Sequence, residues 1–140
     1  MTDSQNVELV RSILADWERG DFSSAEWAHR EIEFVFADGP SPGTWKGLAA
    51  MRATMREYLS TWQNARLEAE EYRELDDDRV LVLNREYGRG KTSGLDTSHV
   101  GATGANVFYI RDGRVVRLVV YLARESAVAD LGLAPEGDAA

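Results

Sequence analysis

The segment from Asn106 to Leu122, NVFYIRDGRVVRLVVYL, constrains the fold more than any other part of the chain. Two runs of β-branched and aromatic residues flank Arg111-Asp112-Gly113, a connection short enough for antiparallel neighbours only. A three-residue loop built on a type I turn is predicted there, with Gly113 as its left-handed residue. With that loop Asn106, Phe108, Ile110, Val116, Leu118, Val120 and Leu122 share one face of the hairpin. Val107, Tyr109, Val115, Arg117, Val119 and Tyr121 share the other. Both faces are apolar, whereas an antiparallel sheet ordinarily leaves one face to water. The sheet must therefore be covered twice. Helices can cover the first face; a second copy of the sheet is the simplest cover for the other, which predicts a homodimer through the outer sheet face.

The helices lie upstream. Val7, Val10, Ile13, Leu14 and Trp17 recur at spacings of three and four, an amphipathic stripe with Thr2-x-x-Gln5 as capping box and Gly20 as stop. Ser23-x-x-Glu26 repeats the capping signature and predicts a short second helix carrying Trp27. From His29 the period changes to two: Ile32, Phe34 and Phe36 on one face, Glu31, Glu33 and Val35 on the other. Asp38 shares the parity of the apolar set, so a persisting strand would point its carboxylate to the apolar side. Beyond the Gly-Pro turn, Leu48, Met51, Met55, Leu59 and Trp62 form a second stripe, predicted to start near Gly47, to end around Gln63-Asn64 and to be the longest helix. Strands are predicted at about Leu67–Leu75, Arg79–Gly88, Ser98–Ile110 and Arg114–Leu122, and a closing helical turn from Ser126 to Leu131, stopped by Gly132.

A chain of 140 residues with no cysteine is one domain without a disulfide or thiolate metal site, expected over residues 1–133 with 134–140 as a frayed tail. The net charge of -8 argues against nucleic acid and anionic lipid as partners. The start MTDSQNVELV has no basic or apolar leader character, and no stretch has the length of a membrane span, so a cytoplasmic protein without a membrane partner is expected.

Helices followed by a bent antiparallel sheet make a cone with one open end. On the segments WERGDF, FVFADGPSPGTWKG, LVLNREYGRGKTSG and FYIRDGRVVRLVVYLARESAVADLGL, the chain resembles the nuclear transport factor 2-like superfamily, in its SnoaL-like and ketosteroid isomerase-like branch, from about Val7 to Leu133. The resemblance implies an α+β fold in which a cone-shaped, curved antiparallel sheet wraps around N-terminal helices. It also implies a bacterial protein working without a cofactor on a small apolar molecule. In the isomerases an aspartate moves the proton while a tyrosine and a protonated aspartic acid bond the developing enolate oxygen. Asp38 falls on the proton-moving aspartate, Asn106 on the protonated acid and Ile13 on the tyrosine; a tyrosine supporting that network corresponds to Met55. A missing oxyanion donor costs about 10²- to 10³-fold in turnover, which argues against steroid isomerisation itself. The epoxide hydrolase branch needs an Arg-x-Asp pair where this chain reads Asn84-Arg85-Glu86-Tyr87.

The candidate catalytic residues are thus Asp38 as base and Asn106 as hydrogen-bond donor, each with a structural alternative: Asp-Gly-Pro is good turn chemistry, and a buried amide can be satisfied by backbone. Trp17, Met55, Tyr58, Leu59 and Trp62 on the helix stripes, with Phe108, Leu118 and Leu122 on the sheet, are the candidate ligand-binding residues. His99 reads as a loop histidine near Asp96 and Ser98. His29-x-Glu31-x-Glu33 reads as a solvated face, so no metal is expected. GRGKTSG lacks the glycine spacing and the following helix of a phosphate-binding loop. Arg85, Arg117 and Tyr121 belong to the dimer side or the pocket rim. The function expected is a SnoaL-like pocket doing proton transfer of isomerase or cyclase type on an apolar carbonyl compound; the alternative is a non-catalytic binding protein of the same fold.

Overall fold

The computed structural model of the chain describes the backbone of residues 5–22, 26–38, 42–60, 62–90 and 102–132, and the side chains of these except 62–65, 87–90 and 102. The elements are α1 (Gln5–Glu18), β1 (Ala28–Phe36), β2 (Gly43–Lys46), α2 (Leu48–Leu59), β3 (Trp62–Glu74), β4 (Arg79–Gly90), β5 (Ala102–Arg111), β6 (Arg114–Tyr121) and α3 (Arg124–Leu131). The strands form one sheet in the order β2-β1-β6-β5-β4-β3. Neighbours are antiparallel except β1 and β6, which run parallel, so the α+β fold has a mixed sheet. Register shifts interrupt β1/β6, β3/β4 and β5/β6. Such bulges increase local twist, and they curl the sheet around the helices. No helix among the described residues is long and apolar enough to cross a membrane.

The α1 stripe packs as its spacing predicts: Val7, Val10, Ile13, Leu14 and Trp17 are all buried, in a core shared with Ile32, Phe34, Val80, Val82, Phe108 and Leu118. Gly47, at φ 97, makes the left-handed entry into α2, and Gly132, at φ 67, ends α3. The outer sheet face has its own cluster of Leu81, Leu83, Val107, Val119 and Tyr121, packed with Ala127 and Leu131 of α3. Part of the second cover thus comes from the chain's own last helix.

Several expectations are corrected. The hairpin loop has two residues, with Arg111 paired to Arg114 and both Asp112 (φ 53) and Gly113 (φ 78) left-handed, a type I′ turn that matches the twist of the strands. A register shift after Tyr109 then pairs Ile110 with Val115, so Val115, not Val116, joins the inner core. Glu26 and Trp27 form a turn instead of a helix; residues 23–25 lie outside the described residues. Helix α2 stops at Leu59 and is shorter than α1, and Trp62 opens β3. Apolar spacing alone could not separate these, because an aromatic residue fits either period. The short strand β2 went unread, since GTWK is too brief to show alternation. The capping residue Thr2, the segment from Lys91 through His99 and the tail 134–140 lie outside the described residues.

Gly104 marks a close approach of strands. A Cβ there would lie 2.8 Å from the Tyr121 carbonyl oxygen and 3.5 Å from the Asn84 amide nitrogen. Because backbone must move to admit it, Gly104→Ala is expected to cost about 1–3 kcal/mol, read as a lowered urea midpoint.

Candidate functional site

A cavity of about 80 Å³ opens between the helices and the concave sheet face. Its walls are mostly aromatic and aliphatic: Trp17 of α1, Phe22, Phe34 and Phe36, Met55, Tyr58 and Leu59 of α2, Leu67, and Leu118 and Val120 of β6. The space exceeds the roughly 10–15 Å³ that one water needs. Three polar side chains join this wall: Arg66 of β3, Glu86 of β4 and Asn106 of β5.

Glu86 follows from strand alternation. Val80, Val82, Asn84 and Glu86 share one side of β4; the valines and Asn84 are buried, and Glu86, next on the same side, reaches the cavity. The Tyr58 hydroxyl, one strand-to-helix gap away, donates to Glu86 Oε1 at 3.4 Å. Burial among apolar walls is the main cause that pushes the Glu86 carboxyl from 4.5 up to about 7; the Tyr58 hydrogen bond opposes it and the charge of Asp38 reinforces it. The folded carboxyl keeps its proton to higher pH than the unfolded one, so its stabilisation is full below about pH 4.5 and is lost as pH rises through about 7. Glu86→Gln, which resembles the protonated acid, is expected to be more stable than wild type by about 1–3 kcal/mol near pH 8 and about equal near pH 4. Urea unfolding at the two pH values measures this.

Asp38 lies two residues past the end of β1. Strand β1 ends at Phe36, so the parity argument stops short of it. Its Oδ1 accepts the Leu122 N–H at 2.6 Å and its Oδ2 the Ala123 N–H at 3.0 Å. The carboxylate thereby ties the end of β1 to the start of α3, and it is not among the cavity walls. Asn106 does reach the cavity, but its amide nitrogen donates to Asn84 Oδ1 at 2.8 Å, both residues being buried.

Of the expected ligand-binding residues, Trp17, Met55, Tyr58, Leu59 and Leu118 line the cavity. Phe108 lies behind the wall, in contact with the rings of Trp17 and Trp27. Leu122 packs against the core, and the Trp62 side chain lies outside the described residues. Sequence reasoning missed Phe22, Phe34, Phe36, Arg66, Leu67, Glu86 and Val120; for Glu86 the signal was available in the β4 alternation. It also missed Arg124, which is 5% exposed and bonds Glu70 at 2.6 Å, the Asn84 carbonyl at 2.9 Å and the Gly104 carbonyl at 3.4 Å. Arg124, first among the causes, and Arg85 hold the Glu70 carboxyl below its usual range. Arg85 pairs with Glu70, and Arg117 lies 3.5 Å from Glu33 and beside the Tyr109 ring. His29 Nδ1 accepts the Glu31 N–H at 3.0 Å. Among the described residues no group of three metal-ligating side chains converges.

The SnoaL-like domain matches residues 10–118, most of the chain. The chain belongs to the SnoaL-like domain family. No curated protein matches it. Solved structures agree on the fold. A nuclear transport factor 2-like protein of unknown function from Burkholderia pseudomallei is 20% identical, with a TM-score of 0.72 over 91% of this chain and 97% of that one. A candidate SnoaL-like polyketide cyclase from Jannaschia is 18% identical, with a TM-score of 0.71 over 96% and 99%. TerC, co-crystallised with polyporic acid, is 21% identical, with a TM-score of 0.70 over 91% and 98%. This SnoaL-like chain thus shares its cone with proteins of differing names, and the fold alone assigns no reaction.

Proposed function

We propose that this SnoaL-like protein binds a small, largely apolar carbonyl compound in the cavity and moves a proton on it without a cofactor, with Glu86 as the acid–base group. The observation that carries the reading is the position of Glu86. It is the carboxyl among the described residues of a mostly apolar cavity wall, whose other polar side chains include Arg66 and Asn106, and it is hydrogen-bonded by Tyr58. A general base must reach the proton it takes, and its efficiency is greatest when it titrates near the working pH. Asp38, with both oxygens accepting backbone N–H groups, serves the junction of β1 and α3 and acts on Glu86 through its charge. The relatives named as a polyketide cyclase candidate and as a complex with polyporic acid support a small-molecule reading of the same cavity. Steroid isomerisation is not part of the proposal, since Ile13 is a buried core residue without a donor. One of the two Asn106 amide N–H groups is given to Asn84, which leaves a single donor for a ligand oxygen and favours the second reading, a binding protein without chemistry.

Deuterium incorporation from heavy water into a panel of enolisable ketones separates the two. Exchange by wild type that Glu86→Gln loses and Asp38→Asn keeps supports Glu86 as base; exchange lost only by Asp38→Asn returns the role to Asp38. A homodimer is proposed through the outer face around Tyr109, whose ring has Arg79 at 6.0 Å and Arg117 at 5.3 Å. A monomeric mass by light scattering at micromolar concentration would remove it.

A further inference from the structure

The cavity brings together two features that favour one sign of charge. The first is aromatic: Trp17, Phe22, Phe34, Phe36 and Tyr58 enter its wall from α1, the segment after it, β1 and α2. Phe36 stands 5.1 Å from Phe34 and 5.6 Å from Tyr58, centroid to centroid, so these rings form a continuous surface. Ring faces carry negative quadrupole charge and attract a cation within about 6 Å, most strongly where water is excluded. The second is the carboxyl of Glu86 in the same wall, with the charge of Asp38 acting on it.

We infer that the ligand of this cavity carries a compact organic cation, a tertiary or quaternary ammonium group, seated among the aromatic rings with Glu86 as its counter-charge. The inference rests on the cavity being a ligand site, as proposed above, and not on proton transfer at Glu86. Arg66 is the like charge in the wall, but it is exposed, so water screens it, whereas Glu86 lies among apolar side chains where its field is stronger. An anionic ligand would meet Glu86 in the wall, with the charge of Asp38 acting on it from outside the lining. The chain's net charge of -8 also draws cations toward it.

The groups that face Glu86 are Tyr58 from α2, Asp38 beyond β1 and Arg66 from β3. Below about pH 7 a bound cation must displace the Glu86 proton, so affinity falls toward acid. Choline, 3,3-dimethyl-1-butanol and 3,3-dimethylbutanoate have similar shapes and carry positive, zero and negative charge; calorimetric titration with each is the test. Choline is expected to bind about tenfold or more tighter than the neutral alcohol at pH 8 in low salt, and to weaken about tenfold at pH 6. Glu86→Gln is expected to lose both the choline preference over the alcohol and its pH dependence. Equal affinity for choline and the alcohol overturns the inference. So does tightest binding of the butanoate, which would give the ligand's charge to Arg66, or saturation by none of the three up to about 10 mM. Ketone exchange that persists alongside any of these outcomes leaves the proton-transfer reading standing, and choline binding without exchange removes only that reading.

Discussion

Phe108→Ala is expected to destabilise the protein by about 3–5 kcal/mol and to lower its melting temperature by about 10 °C or more. Phe108 is fully buried, with its ring 5.9 Å from Trp17 and 6.4 Å from Trp27. Truncation removes apolar contact with both indoles and leaves a void where α1 meets β5, and close-packed surroundings relax only partly into such a void. Because Trp17 is also a cavity wall, the loss reaches the site: the Trp17 ring loses the support that aims it inward. Phe108→Leu keeps most of the volume and is expected to cost about 1–2 kcal/mol. Calorimetric melting of the two variants beside wild type checks both values; a Phe108→Leu loss as large as that of Phe108→Ala would mean that the ring's contacts, and not its volume, hold α1 to the sheet.

Glu86→Gln is expected to reduce proton exchange on a competent ketone by about 10²- to 10⁴-fold, the usual contribution of a general base. The expectation includes a pH profile. Exchange should rise as Glu86 loses its proton and level off above about pH 7, where the carboxylate is the dominant form. Tyr58→Phe removes the hydrogen bond that favours the carboxylate, so the midpoint should move up. Asp38→Asn removes the negative charge that disfavours it, so the midpoint should move down. A profile that ignores both substitutions would assign the titration to another group. The stability of Glu86→Gln near pH 8 provides a readout independent of any substrate, since burial of the carboxylate costs the folded protein stability whatever the cavity does.

The apolar periods were legible along the chain because they are local. The α1 stripe, the change of period at β1, the glycines that begin α2 and end α3, and an outer face in need of cover all came from residues close in sequence. The hairpin shows the limit. RDG announces a turn, but whether it closes with two residues or three depends on a register shift between Tyr109 and Ile110, and that shift carries Val115 inward. Trp62 shows another limit, since spacing assigned it to a helix that ends at Leu59.

The site residues depended on longer reach. In sequence Asp38 looked like the acid at the end of an apolar strand face; its hydrogen bonds come from 84 and 85 positions away, and no local pattern announces them. Glu86 looked ordinary between Arg85 and Tyr87 until Tyr58, 28 positions earlier, and walls from α1, β1, β3, β5 and β6 enclosed it. By itself the sequence determined the kind of element that most segments make, α1, β1 and the later strands above all, together with the α+β fold and the SnoaL-like resemblance, because propensity and periodicity act between near neighbours. Only the tertiary structure decided which carboxyl is buried in the cavity and which is spent on the backbone, because desolvation and long-range hydrogen bonds exist only once the sheet has curled around its helices.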